Sequence, residues 1–233
     1  MQQRIGQGWT QCLGLLLYVL LLSLWGYALI GLGSEEHQGD VYRIIYMHVP
    51  AAFAAFMCSF VLFVASIYGL KRNKHGQAVL YGRAAAEVGL AFTLITLVTG
   101  SIWGKPTWGV WWTWDGRLTT TFILLLLYGG YLFLWSAVSD PVLRTKVCSI
   151  LGLLIFADVP IIYKSVTWWR TLHQPPSLFQ GGQGLIAGEF LSLLLGGIAG
   201  VSLLALWLIW QRGINLGLQK EIDTQLIKKS LRY

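Results

Sequence analysis

Charge is scarce in this chain of 233 residues: Asp, Glu, Lys and Arg together make up 12% of it, about half the ~25% of a soluble domain. That scarcity excludes an ordinary soluble domain. With 55% hydrophobic residues and a mean hydropathy of +0.61, the class is an integral membrane protein. Basic runs are missing too. No more than two Lys or Arg are adjacent, so the net charge of +7 implies no nucleic-acid partner. Cysteine is limited to Cys12, Cys58 and Cys148, each inside an apolar run, with no CxxC and no CxxCH. A thioredoxin-like thiol carrier and a covalent c-type haem protein are thereby excluded by motif, and the three thiols read as small buried hydrophobes. Repeats and low-complexity linkers are also absent. One polytopic membrane domain over 1–233 is expected.

What is present is a series of long apolar runs. A spanning helix needs ~20 mostly apolar residues, and six windows qualify: 11–32, 50–70, 84–102, 120–139, 146–163 and 187–210. The expected fold is all-α with six transmembrane helices. The fifth window is the shortest and carries Asp158 and Pro160, so its far end is expected to bend or to bury against other helices. The first is longer than a signal-peptide core and lacks a small-x-small cleavage site, so it reads as a retained helix. With six spans both termini share a side. Twelve of the 17 Lys and Arg fall on that side and five on the other, which places the termini in the cytoplasm. The tail 211–233 is mixed in charge and reads as a helix on the cytoplasmic surface.

Tryptophan is then unevenly placed. "WGKPTWGVWWTWDGRLTT" carries Trp103, Trp108, Trp111, Trp112 and Trp114 in one loop, 103–119, between the third and fourth spans, and Trp168 and Trp169 follow in the next outer loop. Trp135, Trp207 and Trp210 lie near inner helix ends, as an anchoring belt requires, but such a belt would occupy both interfaces equally. Gly104, Pro106, Gly109 and Gly116 are expected to break a long helix here. A short helical turn from Trp108 would align Trp108, Trp111 or Trp112, and Asp115 on one side. Asp115 would pair with Arg117 or accept from Trp N–H groups. The competing reading is a re-entrant loop that only packs on the bundle.

Three of four histidines share that face. His48 stands in "YRIIYMHVPAAF", two residues before Pro50, a favourable first-turn residue of the second span. A helix N-terminus disfavours imidazolium, leaving the neutral, metal-binding ring. His173 stands in "SVTWWRTLHQPPS", where a short amphipathic helix stopped by Pro175 and Pro176 would put Trp169 and His173 on one face. Two neutral imidazoles on opposite sides of a flat macrocycle would make six-coordinate haem iron. Arg43, Lys105, Arg117 and Arg170 would be available to the propionates. His37, among Glu35, Glu36 and Asp40, reads as a solvated loop residue, and His75, among Lys71, Arg72 and Lys74, as a surface residue on the opposite side. Glu87, Asp158 and Glu189 lie within spans, where ionisable groups face a bundle interior or a wet cavity. Were they to line a path, the chain would instead be a permease moving haem or another solute, although it lacks the paired Gly/Pro-broken helices of many transporters.

Together, "MHVP", "WGKPTWGVWWTWD" and "PIIYKSVTWWRTLHQ" resemble the six-span CcmC family of tryptophan-rich (WWD) haem-handling proteins of system I cytochrome c maturation. The larger relatives CcmF and CcsA share the loop but have more spans. The likeness covers nearly the whole chain and implies a multi-pass protein of the bacterial inner membrane, with non-covalent haem b bound on the periplasmic side. It implies His48 and His173 as axial ligands of the iron, and a haem contact surface made by Trp103, Trp108, Trp111, Trp112, Trp114 and Asp115. Trp168, Trp169 and Arg117 are expected to complete the site. The implied role is delivery of haem to the chaperone CcmE, called haem export in the family, beside the subunits CcmA, CcmB and CcmD of an ABC-type complex. That is a non-hydrolytic, haem-lyase-like transfer subunit rather than an enzyme with catalytic residues of its own.

Overall fold

A computed structural model describes residues 2–35, 38–72, 76–173 and 188–231. Six helices are long and apolar enough to cross a membrane. They are α1 (Gln2–Gly26, continued by a π-helical turn at Tyr27–Gly31), α2 (Ile45–Arg72, entered through a 3₁₀ turn at Asp40–Ile44), α3 (Gln77–Trp108), α4 (Gly116–Ala137), α5 (Pro141–Trp168) and α6 (Gly188–Ser230). No strand occurs among the described residues. The all-α, six-span fold stands.

Helix α2 is the centre of the bundle and packs against α3, α5 and α6, while α1 lies at the edge against α6. Small residues let the backbones approach. Ala51, Ala54, Ala55, Cys58 and Ser59 of α2, and Ala84, Ala85 and Ala86 of α3, are buried. Lipid gives helices no hydrophobic reason to associate, so such close contact must supply the attraction. Gly89 of α3 faces the buried Tyr128, whose hydroxyl donates to Ala55 O at 3.0 Å. Large apolar side chains such as Leu15 and Phe133 point outward, as a hydrocarbon solvent permits.

Several helices outrun their expected windows. Pro50 lies inside α2 rather than at its first turn. A proline cannot donate to the carbonyl four residues back, and here Trp25 Nε1 takes the freed Tyr46 O at 3.0 Å. Helix α3 continues through Gly104 and Pro106 and stops only at Gly109, whose φ of +80° is the left-handed cap that glycine favours. Helix α5 is 28 residues long, with Asp158 buried at 7% exposure and Pro160 inside it. Helix α6 runs without a break into the region expected as a tail.

At the end carrying the chain termini, Glu87 accepts from Arg83 Nε at 3.0 Å and from Arg212 Nη2 at 3.1 Å, and Arg83 and Arg144 both lie over the Trp135 ring. This cluster ties α3 to α6 and accounts for Glu87 structurally. His37, His75, Pro175 and Pro176 lie outside the described residues, as does the side chain of Glu189.

Candidate functional site

At the opposite end the loop after α3 and the stretch 169–173 after α5 border a cavity of about 360 Å³. Its walls come from five helices, and its lining is apolar apart from a few groups: His48, His173, Arg117, several hydroxyls and the indoles Trp103, Trp108 and Trp112. His48 reaches it from the first turn of α2, and His173 from the stretch after α5. The two expected histidines, 125 positions apart in sequence, thus border one space.

Each histidine is held. His48 Nδ1 lies 3.1 Å from Thr99 Oγ1 of α3, and its ring meets Trp103 edge-to-face at 5.7 Å. Trp103 is fixed in turn, its Nε1 donating to Gln38 Oε1 at 2.9 Å. The His173 ring lies 6.1 Å from that of Trp108, and its backbone N–H donates to Thr171 Oγ1 at 3.0 Å. The expected amphipathic helix over Trp169 and His173 does not form. Helix α5 ends at Trp168, and Trp169 is extended, with φ −125° and ψ 159°. Trp169 packs on the start of α4, where a Cβ on Gly116 would lie 2.9 Å from its ring.

Asp115 does something other than meet Arg117 or an indole N–H. One carboxylate oxygen caps α4, accepting from Leu118 N at 2.9 Å. The other accepts from Thr171 Oγ1 at 2.9 Å and Leu172 N at 3.3 Å, with Thr113 Oγ1 at 3.4 Å. One side chain therefore starts a helix and ties the Trp loop to the segment that carries His173. Asp115 is not among the residues lining the cavity. Sequence reading missed Thr99 and Thr171: Thr171 stands two residues before His173 and offered a local signal, whereas Thr99 is 51 positions from His48 and offered none.

The tryptophans divide. Trp103, Trp108 and Trp112 line the cavity, whereas Trp111 and Trp114 are 58% and 73% exposed and Trp168 and Trp169, a T-shaped pair, are half-exposed and not among the lining residues. The turn from Trp108 that would align these residues is replaced by Gly109 and an irregular stretch to Asp115, and Trp112 and Trp114 pack edge-to-face on each other, with Phe122 against both. The basic residues divide likewise. Arg43 donates to Leu29 O and Leu32 O and pairs with Asp40, and Lys105 donates to Gly109 O at 2.9 Å. Only Arg117 of the four candidates lines the cavity; its Nη2 donates to Tyr163 O at 3.3 Å, and its buried Nε has no partner among the described residues. Trp112 Nε1 is buried and unpartnered in the same sense. Asp158 is not among the lining residues.

Fold and site define a class: a six-span helical membrane protein with a histidine-flanked, tryptophan-walled cavity at one end. The family model described as "Heme exporter protein C" matches residues 3–228. The chain belongs to that family, CcmC. It is 40% identical over 182 residues to "Heme exporter protein C" of Bradyrhizobium diazoefficiens, covering 78% of this chain and 69% of that one. It is 44% identical over 157 residues to the protein of the same name from Escherichia coli K12 (67% and 63%), and 40% identical over 185 residues to that of Haemophilus influenzae (79% and 74%). The aligned stretch spans less than two thirds of the length of the E. coli relative.

Proposed function

We propose that this chain binds haem b non-covalently at the Trp-loop end, on the periplasmic face of a bacterial inner membrane, and delivers it to the chaperone CcmE for c-type cytochrome maturation. The observation that carries this reading is the convergence of His48 and His173 on one aromatic cavity. Iron in porphyrin already has four nitrogen ligands and needs only two more. A bare ion needs more protein ligands, and no group of three or more His, Cys, Asp or Glu gathers for one among the described residues. The unpartnered Nε of Arg117 and Nε1 of Trp112 are donors that a buried ligand oxygen would satisfy, since such groups are costly to leave unpaired. Arg117 is therefore the residue proposed to meet a propionate.

In this reading His48 and His173 hold the iron, while Trp103, Trp108 and Trp112 cover the ring. Trp111, Trp114, Trp168 and Trp169 are left to meet CcmE or the membrane interface. Asp115 supports the site without touching haem. The contribution is positioning, with CcmA, CcmB and CcmD as the associated subunits. Of the three residues a permease path would use, Glu87 is spent on arginines at the other end, Asp158 does not line this cavity, and the side chain of Glu189 lies outside the described residues.

The test is the absorption spectrum of the purified protein beside His48→Ala and His173→Ala. Low-spin bis-histidine bands in the parent, lost in both variants, are expected. A parent that carries no haem from haem-replete cells would sink the proposal.

A further inference from the structure

The contact between α2 and α3 at His48 specifies more than the position of the ring. A neutral imidazole carries its proton on one nitrogen and a free lone pair on the other, and the partner of one nitrogen decides which is which. His48 Nδ1 faces Thr99 Oγ1 at 3.1 Å. Thr99 has a single hydroxyl hydrogen, and the backbone claims it: Oγ1 donates to Ile95 O at 2.7 Å, with Thr96 O next at 3.2 Å. Toward His48 the hydroxyl therefore has only lone pairs to offer, so Nδ1 must be the donor. Thr99 is buried at 6% exposure.

The neighbours close the alternatives. Gly100 leaves the ring its place, since a Cβ there would come within 3.0 Å of His48 Cε1. Trp103 packs edge-on against the ring with its N–H spent on Gln38. The imidazole is thus wedged between a one-way acceptor, a bare glycine and an indole edge, and Nε2 alone keeps a lone pair.

We infer that Thr99 is a positioning residue: it locks the proton of His48 on Nδ1 and so presents Nε2 as the ligating nitrogen. The tautomer half of this inference stands on α2 and α3 alone; the ligation half rests on the haem reading above. A hydrogen-bonded imidazole is also a better base and a better oriented ligand, and loss of such an outer partner typically costs about 10–100-fold in metal affinity.

Two measurements test it. Long-range ¹H–¹⁵N correlation spectra of the ¹⁵N-histidine-labelled, haem-free full chain, with His48 assigned by loss of its peaks in His48→Gln, report the tautomer directly. The Nδ1–H form is expected in the parent and in Thr99→Ser, and the Nε2–H form should gain population in Thr99→Val, which keeps the volume and removes the acceptor. An Nε2–H signal for His48 in the parent would overturn the inference. Haem titration of the same proteins should show ~10–100-fold weaker binding and a smaller low-spin fraction in Thr99→Val, with Thr99→Ser close to the parent. A Thr99→Val protein that changes tautomer yet binds haem like the parent would refute the positioning role. A parent that binds no haem counts against the haem reading alone, and the tautomer spectrum then still decides this one.

Discussion

Replacing Asp115 with Asn separates two jobs that one carboxylate performs. Asparagine caps helices about as well as aspartate, so its oxygen keeps the Leu118 N–H bond and α4 still starts at Gly116. The second carboxylate oxygen becomes an NH₂ group, which cannot accept from Thr171 Oγ1 or Leu172 N. A hydrogen bond to a charged group is worth ~1.5–3 kcal/mol net. The longer, exposed Leu172 contact adds little, so about 2 kcal/mol of tethering is lost, or roughly a 30-fold change in an equilibrium. That energy bears on the segment whose Thr171 hydroxyl also accepts from His173 N. Haem affinity should therefore fall by up to about 30-fold, because apparent affinity scales with the fraction of molecules whose ligand is in place. The assay is titration of purified protein in nanodiscs, followed at the Soret band, with a thermal melt alongside. Thr171→Val should lose at least as much, because it also removes the acceptor of the His173 N–H, and the double variant should lose less than the sum of the two, since the Asp115–Thr171 bond is shared. Parent-like binding in Asp115→Asn, or fully additive losses in the pair, would refute this account of the aspartate.

Two further outcomes follow from packing. Trp112→Ala should weaken haem binding and Trp111→Ala should leave it within error, because the first lines the cavity and the second is 58% exposed; equal losses in the same titration would contradict the division of the loop. Gly89→Ala places a Cβ 2.4 Å from the ring of Tyr128, which is 0% exposed, so an overpacking cost of ~1–3 kcal/mol is expected, seen as a lower melting temperature by fluorescence-detected size exclusion.

Much of the fold was legible because span-forming runs are local. Six windows of apolar residues, interrupted by charge, need no partner to be recognised. The ends were less legible. Gly104 and Pro106 look like breakers, yet α3 passes through both, because a helix already committed by a span-length apolar run tolerates a proline near its last turn. Pro50 looks like a start, yet α2 begins five residues earlier, because Trp25 from another helix takes the carbonyl that proline leaves free. The histidines were legible as types in context, each beside aromatics at a span edge. Their supports were not: Thr99 and Thr171 are ordinary residues whose meaning comes from what lies opposite.

The sequence by itself determined the class, the number of spans, the excess of indoles in one loop and the pair of histidines that accompanies it, since composition and hydropathy act through solvent and need no neighbours. Only the tertiary structure decided which indoles face the cavity, that Arg117 alone among four candidate bases lines it, and that Asp115 spans two loops instead of touching the ligand. Those outcomes depend on hydrogen bonds and ring contacts, which hold over about 3 to 6 Å and join residues as far apart in sequence as Asp115 and Thr171. Directional forces of that range leave no trace along the chain until the helices have packed.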